Sequence, residues 1–338
     1  MMEVLSLAPD TPVKVSVLVA ARNEEKNILR CLQSLSYLDF PAEQIEILIG
    51  DDDSNDATGD LTRRFIEGKP HFRYIKIAKR VAGLKGKANV LAQLSHEAKG
   101  TYFFYCDADI AVKPSWITEM LAHFQPGIGT VVGLTRMTHT HFLADLLSME
   151  WLFALAVTRF WSYFKVPVTG MGNNMAVTRE AYFKTGGYEQ IGFSVVEDYT
   201  LFMAIVRAGY GFEMAFRSDI INISEPVNTF PELLKQRKRL MQGVMESFWF
   251  TKWSLIVITL IVPFLLILAI WNPEQAFTSL WQYYAFITTL SLISIILLKQ
   301  WDLWKAAMVF WFYMVGIGCI MLVNHFLPGK MVWKGREY

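Results

Sequence analysis

The sequence predicts an α/β fold whose mostly parallel sheet is flanked by helices, followed by helices that enter a membrane. Three observations carry this expectation. Short β-branched runs alternate with stretches of helical period in the first two thirds of the chain. Two acidic motifs stand directly behind two of those runs. The last third holds three apolar segments, 254–271, 278–298 and 306–326, with no Asp, Glu, Lys or Arg in any of them.

The first run, 14–20, reads KVSVLVA and has the length and composition of a strand. Behind it Ile28, Leu29, Leu32 and Leu35 recur at helical spacing. A second strand is expected at 45–50, a third at 72–77, a helix at 87–98 and a fourth strand at 102–106. Strands alternating with helices imply βαβ units with both sheet faces covered. In such sheets ligands bind beyond the carboxyl ends of the strands. Both acidic motifs, DDDSND from Asp51 and DADI from Asp107, fall there.

Each late segment is about 20 residues, the length needed to cross a hydrocarbon core. Trp253, Trp271, Trp281, Tyr283, Tyr284 and Trp301 stand near their ends, as an interfacial aromatic belt would. Composition changes near Ser247, which places a catalytic domain at 1–245 and a membrane domain at 246–338. The apolar stretch 142–164, interrupted by Asp145, Glu150 and Arg159, reads equally as a buried helix or as one lying at the membrane interface. The N-terminus lacks a basic region followed by a long apolar one, so the catalytic domain is expected to face the cytosol. Three spans from there leave the C-terminus outside, whereas Lys330, Lys334 and Arg336 argue for inside. Pro263, in the middle of the first segment, makes that one a candidate re-entrant segment.

A net charge of +1 gives no bulk attraction for nucleic acid. Cys31, Cys106 and Cys319 fit neither a zinc pattern nor a disulfide framework. His139 and His141 lack further ligands at metal-site spacing and read as loop residues. The loop from Asp51 is not an EF-hand: Asp56 stands where the bend needs Gly, and Thr62 where the bidentate Glu belongs. No Gly-x-Gly-x-x-Gly follows the first strand and no Walker A loop is present, which disfavours a nicotinamide dehydrogenase and a P-loop enzyme.

What remains fits an activated phosphate ligand. Asp107 and Asp109, lifted to the sheet edge, are the hard oxygen donors a magnesium-type ion takes together with substrate phosphates. Lys85 and Lys87 stand at a helix start, where an ammonium and the helix terminus both favour phosphate. Asn173 and Asn174 lie in a Gly-rich loop suited to a polyhydroxylated ligand. Glu197 and Asp198 open a helix that should end at Gly209, with Asp198 a candidate general base. Gln236, Arg239 and Gly243 share one helix face.

Taken in order, ARNEE, DDDSNDAT, GKANVL, DAD, GNNMAV, ED and QRKRLMQG resemble family 2 glycosyltransferases of the GT-A fold, over about residues 15–245. The resemblance is to the membrane-bound subset with a Gln-x-x-Arg helix before C-terminal membrane segments, and the tail VWKGREY looks like that of members acting on lipid-type acceptors. It implies that Ala21, Asn23, Glu24, Asp51 and Asp52 line a nucleotide pocket, with Lys87 near the diphosphate. It implies that Asp107 contacts the donor, and that Asp107 and Asp109 hold Mg or Mn. Asp198 is then the base of an inverting reaction, and Asn173, Asn174, Glu197, Gln236 and Arg239 border donor and acceptor. The implied activity moves one sugar from a nucleotide-sugar donor, by resemblance a UDP-sugar, to a lipid-type acceptor at the cytoplasmic membrane. The family's processive synthases carry Trp after that Arg where this chain has Leu240, which weakens a polymerase reading. A cation-binding membrane protein is disfavoured because the apolar segments hold no charge.

Overall fold

A computed structural model describes residues 13–81, 83–227, 229–246, 249–326, 332–333 and 336–337. They form two compact units: Met1–Gly133 with Thr169–Ala215, and Leu134–Val168 with Phe216–Tyr338. This division does not coincide with the compositional change near Ser247, because the segment around 142–164 clusters with the C-terminal helices.

The first unit is built on strands β1 (Val15–Ala21), β2 (Ile45–Asp51), β3 (Phe72–Lys76) and β4 (Tyr102–Asp107). A two-residue strand β5 (Ile110–Ala111) follows, and then β6 (Ile128–Val132). Helices α1 (Ile28–Ser36), α2 (Thr58–Ile66), α3 (Gly86–Glu97) and α4 (Trp116–Leu121) alternate with them. Later come β8 (Met175–Thr178), α6 (Arg179–Lys184), α7 (Gly187–Ile191), α8 (Glu197–Arg207) and β9 (Gly211–Met214).

The sheet order is β3-β2-β1-β4-β8-β6-β9. β1 pairs in parallel with β2 and β4, and β2 in parallel with β3. β8 runs antiparallel to both β4 and β6, so the sheet is mixed beyond β4. β1 and β2 are apolar almost throughout because helices cover both faces, and Val15, Val17, Leu18, Val19, Ile47 and Leu48 are fully buried. α1 buries Ile28, Cys31, Leu32 and Leu35, three of them from the stripe read in the sequence.

The register fixes the functional edge. Ala20 stands beside Gly50 on one side and Asp107 on the other, and Ala21 beside Asp51. Three neighbouring strands therefore end level, and the two acidic motifs open at one rim.

The second unit holds β7 (Leu134–Met137) paired in parallel with β10 (Ile221–Ser224), and helices α5 (Phe142–Ser162), α9 (Phe230–Glu246), α10 (Trp249–Leu268), α11 (Pro273–Leu297) and α12 (Trp304–Phe326). Among the described residues two stretches, Pro273–Leu297 and Trp301–Asn324, are long and apolar enough to cross a membrane. Side chains of Ser254, Leu255 and Ile258, in the first expected segment, lie outside the described residues. α5 buries Ala144, Leu147, Leu152 and Leu155 and leaves Phe160 exposed. His141 caps α5, its Nδ1 accepting from the Ala144 amide at 3.1 Å, and His139 contacts Asp145 at 2.6 Å. These are the loop roles expected of the histidine pair.

Candidate active site

The rim begins with the loop after β1, which is stitched to the acidic loop after β2. Asn23 and Asp53 adopt left-handed backbone conformations, φ +52° and +55°, which Asn and Asp tolerate better than most residues. The Asn23 amide donates to Ser54 Oγ at 3.0 Å, and the Asn55 amide to Asn23 Oδ1 at 3.0 Å. The Glu24 amide donates to Thr58 Oγ1 at 2.7 Å, and Glu24 Oε2 accepts from Asn27 at 3.0 Å. Arg22 donates to the Asp52 carbonyl. Asp56 accepts from the Thr58 amide at 3.0 Å and from the Glu25 amide at 3.1 Å, so the clustered carboxylates are partly spent on their own loops.

Asp51 and Asp52 are both buried. Asp51 Oδ2 accepts from Tyr74 Oη at 2.7 Å and Oδ1 from the Ser54 amide at 2.9 Å. Burial, with Asp51 beside it, pushes the Tyr74 phenol up to about 12. Tyr74 therefore stays a neutral donor that fixes Asp51. Sequence reasoning missed it, since an aromatic inside a strand run carries no signal beyond packing.

Charge also clusters where α3, β4 and α8 meet. Lys87, second residue of α3, places Nζ 2.6 Å from Asp107 Oδ1 and 3.2 Å from Glu197 Oε1. Burial works to lower the Lys87 pKa, but Asp107, Glu197 and Asp198 outweigh it and hold the ammonium above its ordinary value. Burial pushes the Glu197 carboxyl up, Lys87 opposes this, and the neighbouring Asp198 and Asp107 add to it. Asp198, in the first turn of α8, accepts from the Gly172 amide at 2.6 Å and from the Tyr199 amide at 2.8 Å. Gly172 is required there: a Cβ would sit 2.8 Å from Asp198 Cβ and 3.1 Å from Lys87 Nζ. Gly209, at φ +93°, follows the end of α8 as expected.

Asp109 is half-buried on the turn after β4, and its carbonyl accepts from Arg30. Among the described residues no three His, Cys, Asp or Glu converge as a metal cage. Asp107 ends β4 and Asp109 lies on the turn after it, and carboxylate oxygens are the donor type that a hard divalent ion takes together with substrate phosphates.

Asn174 is fully buried, and its Oδ1 accepts from Trp116 Nε1 at 2.8 Å while its carbonyl accepts from the Gly133 amide at 2.7 Å. Both contacts hold the loop in place inside the fold. Asn173 is half-buried beside it. Gln236 lies half-buried on α9 in the other unit; the side chain of Arg239 lies outside the described residues. Ala21, Asn23, Glu24, Asp51, Asp52, Lys87, Asp107, Asp109, Glu197 and Asp198 all belong to the first unit.

A mostly parallel sheet flanked by helices, with acidic loops at the carboxyl rim of its first strands, is the architecture of the GT-A fold. Two family models match the chain, "Glycosyl transferase family 2" over residues 16–185 and "Glycosyl transferase family group 2" over 102–322. The chain belongs to glycosyl transferase family 2.

Relatives agree with this. A "Probable glycosyltransferase YdaM" of Bacillus subtilis is 28% identical over 239 residues, covering 68% of this chain and 55% of the relative. A "Beta-monoglucosyldiacylglycerol synthase" of Trichormus variabilis is 24% identical, covering 72% and 51%. The chain thus spans about half the length of these curated relatives. The solved mannosyltransferase PcManGT from Pyrobaculum calidifontis, in complex with GDP-Man and Mn2+, shares the fold at TM-score 0.58 and 17% identity, covering 94% of this chain and 88% of that one.

Proposed function

We propose that the protein transfers a single sugar from a nucleotide-sugar donor, a UDP-sugar foremost, to a lipid-type acceptor at the cytoplasmic membrane, with its sheet unit in the cytosol. The observation that carries this is the Lys87–Asp107–Glu197–Asp198 cluster at the rim where β1, β2 and β4 end. A diacylglycerol-modifying enzyme among the relatives and the two long apolar helices support the acceptor class. The GDP-Man and Mn2+ complex of the structural neighbour supports a nucleotide sugar and a divalent ion.

Each residue then has a task. Asp51 and Asp52 accept hydrogen bonds from the base, with Asp51 held by Tyr74, and Ala21, Asn23 and Glu24 line the same pocket. Lys87 presents positive charge to the diphosphate. Asp107 and Asp109 would hold Mg or Mn, which supplies Lewis-acid stabilisation of the departing diphosphate. Asp198, oriented by two backbone amides, takes the proton from the acceptor hydroxyl as its oxygen attacks the anomeric carbon from the face opposite the leaving group. That geometry inverts the anomeric configuration. Asn173, Asn174, Glu197, Gln236 and Arg239 border donor and acceptor; Asn174 does so through its loop, since its side chain is inward.

The test is incubation of the membrane-bound chain with labelled UDP-sugars, Mn and total membrane lipid, followed by lipid chromatography. One added residue per lipid supports the proposal. A ladder of products would assign a processive synthase, and no transfer with any donor would overturn the reading.

A further inference from the structure

Trp301–Asn324 is long enough to cross a bilayer, yet three polar residues on it are tied to other parts of the second unit. Asp302 pairs with Arg136 of β7 at 2.5 and 3.1 Å, and Gln300 joins the same guanidinium at 2.5 Å. Tyr313 donates to Glu150 of α5 at 2.8 Å and accepts from Arg237 of α9 at 3.1 Å. Arg237 in turn grips Glu150 through two hydrogen bonds of 2.7 and 2.5 Å. Asn324 donates to the Leu234 carbonyl of α9 at 3.2 Å. Positions 302, 313 and 324 are spaced by eleven, about three helical turns, so the ties share one face. Leu303, Ala306, Ala307, Phe310, Ile317 and Met321 are buried between them.

The two ends of this helix can be placed relative to a bilayer. β7 is in register with β10, Met137 beside Ser224, and α9 starts at Phe230. Six residues extend at most about 21 Å, less than a hydrocarbon core of about 30 Å. Irregular backbone containing Glu225 cannot lie exposed to lipid in any case. The strand pair and the start of α9 are therefore on one side of the membrane. Glu232 and Lys235, both exposed on the first turns of α9, keep Leu234 at aqueous depth. Asp302 is tied to the strand pair and Asn324 to Leu234, although 22 residues of helix separate them by about 33 Å. A crossing would also set the Arg237–Glu150 pair, with Arg237 only 3% exposed, at the bilayer centre, where charge is costly.

We propose that α12 does not cross the membrane but lies along its interface, with both ends on the side of the β7–β10 strand pair. Trp304, Met308, Val309, Phe312 and Val323, all exposed, form the face laid into the headgroup and acyl boundary. This replaces the crossing expected for 306–326. The chain then emerges after Phe326 on the cytosolic side, where its basic residues argue it belongs. The inference rests on membrane attachment but not on sugar transfer.

The test uses the full chain in right-side-out and inverted membrane vesicles with a membrane-impermeant maleimide. Reporter variants are Glu337→Cys in the tail and Tyr37→Cys on the exposed end of α1, with the labelling of the parent chain subtracted. A C-terminal epitope tag exposed to added protease is the second readout. The expected result is labelling of both reporters, and cleavage of the tag, in inverted vesicles only. Tail labelling or tag cleavage in right-side-out vesicles overturns the proposal. Recovery of the chain in the soluble fraction removes the attachment itself, an outcome distinct from absent sugar transfer.

Discussion

Replacing Lys87 by Met removes one cation from among three carboxylates and keeps most of the side-chain volume. Nζ lies 2.6 Å from Asp107 and 3.2 Å from Glu197, with side-chain exposures of 17%, 33% and 14% for Lys87, Asp107 and Glu197. Breaking a buried pair by deleting one partner costs about 3–5 kcal/mol. Solvent reaches Asp107, so the low end applies, about 3 kcal/mol. At about 2–4 °C per kcal/mol for a domain of this size, the melting temperature should fall by roughly 6–12 °C at pH 8.

The pH dependence has a definite sign. Burial already raises the Glu197 pKa and Lys87 opposes that rise, so the variant raises it further. A carboxyl whose folded pKa exceeds its unfolded value binds its proton more tightly in the fold, and stability is gained as pH falls through the raised pKa. The deficit should therefore shrink between pH 8 and pH 5. Circular-dichroism melts of wild type and Lys87→Met at both pH values measure this. An unchanged melting temperature at pH 8, or a deficit that grows at pH 5, would refute the electrostatic account of the cluster.

The remaining expectations concern chemistry more than stability. Asp198→Asn should lower turnover by about 10²–10⁴-fold, the usual worth of a general base, with donor affinity preserved in calorimetry; unchanged turnover would remove Asp198 from the mechanism. Gly172→Ala should displace Asp198 through its 2.8 Å Cβ contact and reduce turnover by about 10²-fold, read in the same lipid-transfer assay. Tyr74→Phe should loosen Asp51 and weaken UDP binding by about 1 kcal/mol, one hydrogen bond, measured by titration calorimetry. Asp107→Asn combined with Asp109→Asn should abolish the dependence of donor binding on added Mn, seen as a thermal shift insensitive to chelator.

Much of this was legible because the signals were local. The runs 14–20, 45–50 and 102–106 match β1, β2 and β4 within a residue, since β-branched or aromatic stretches bounded by turn residues have few alternatives. The helix expected from Lys87 starts at Gly86. The antiparallel insertion of β8 was not legible, because a four-residue strand carries no direction and only the register against β4 and β6 sets it. At the site, carboxylates at strand ends point to Asp51 and Asp107, and carboxylates at a helix start to Asp198. The supports did not show, because Tyr74 and Trp116 act through partners 23 and 58 positions away. Asn174 reads as ligand-facing because it is a polar residue in a Gly-rich loop, and loop composition gives no sign of the hydrogen bond its Oδ1 accepts from Trp116. The three apolar segments are read from length, missing charge and flanking aromatics, signals that do not include the polar ties of Tyr313 and Asn324 to α5 and α9.

The proposed role of the sheet's carboxyl rim is to bind a nucleotide sugar through its acidic loops and a divalent ion. Titration calorimetry of the purified full chain with UDP-sugars and GDP-sugars, in Mn and again after chelation, tests it most directly. Saturable binding of one donor class in Mn, lost on chelation and lost in Asp107→Asn, is the predicted result. Absence of binding by every donor in Mn, with the chain folded by circular dichroism, would contradict it.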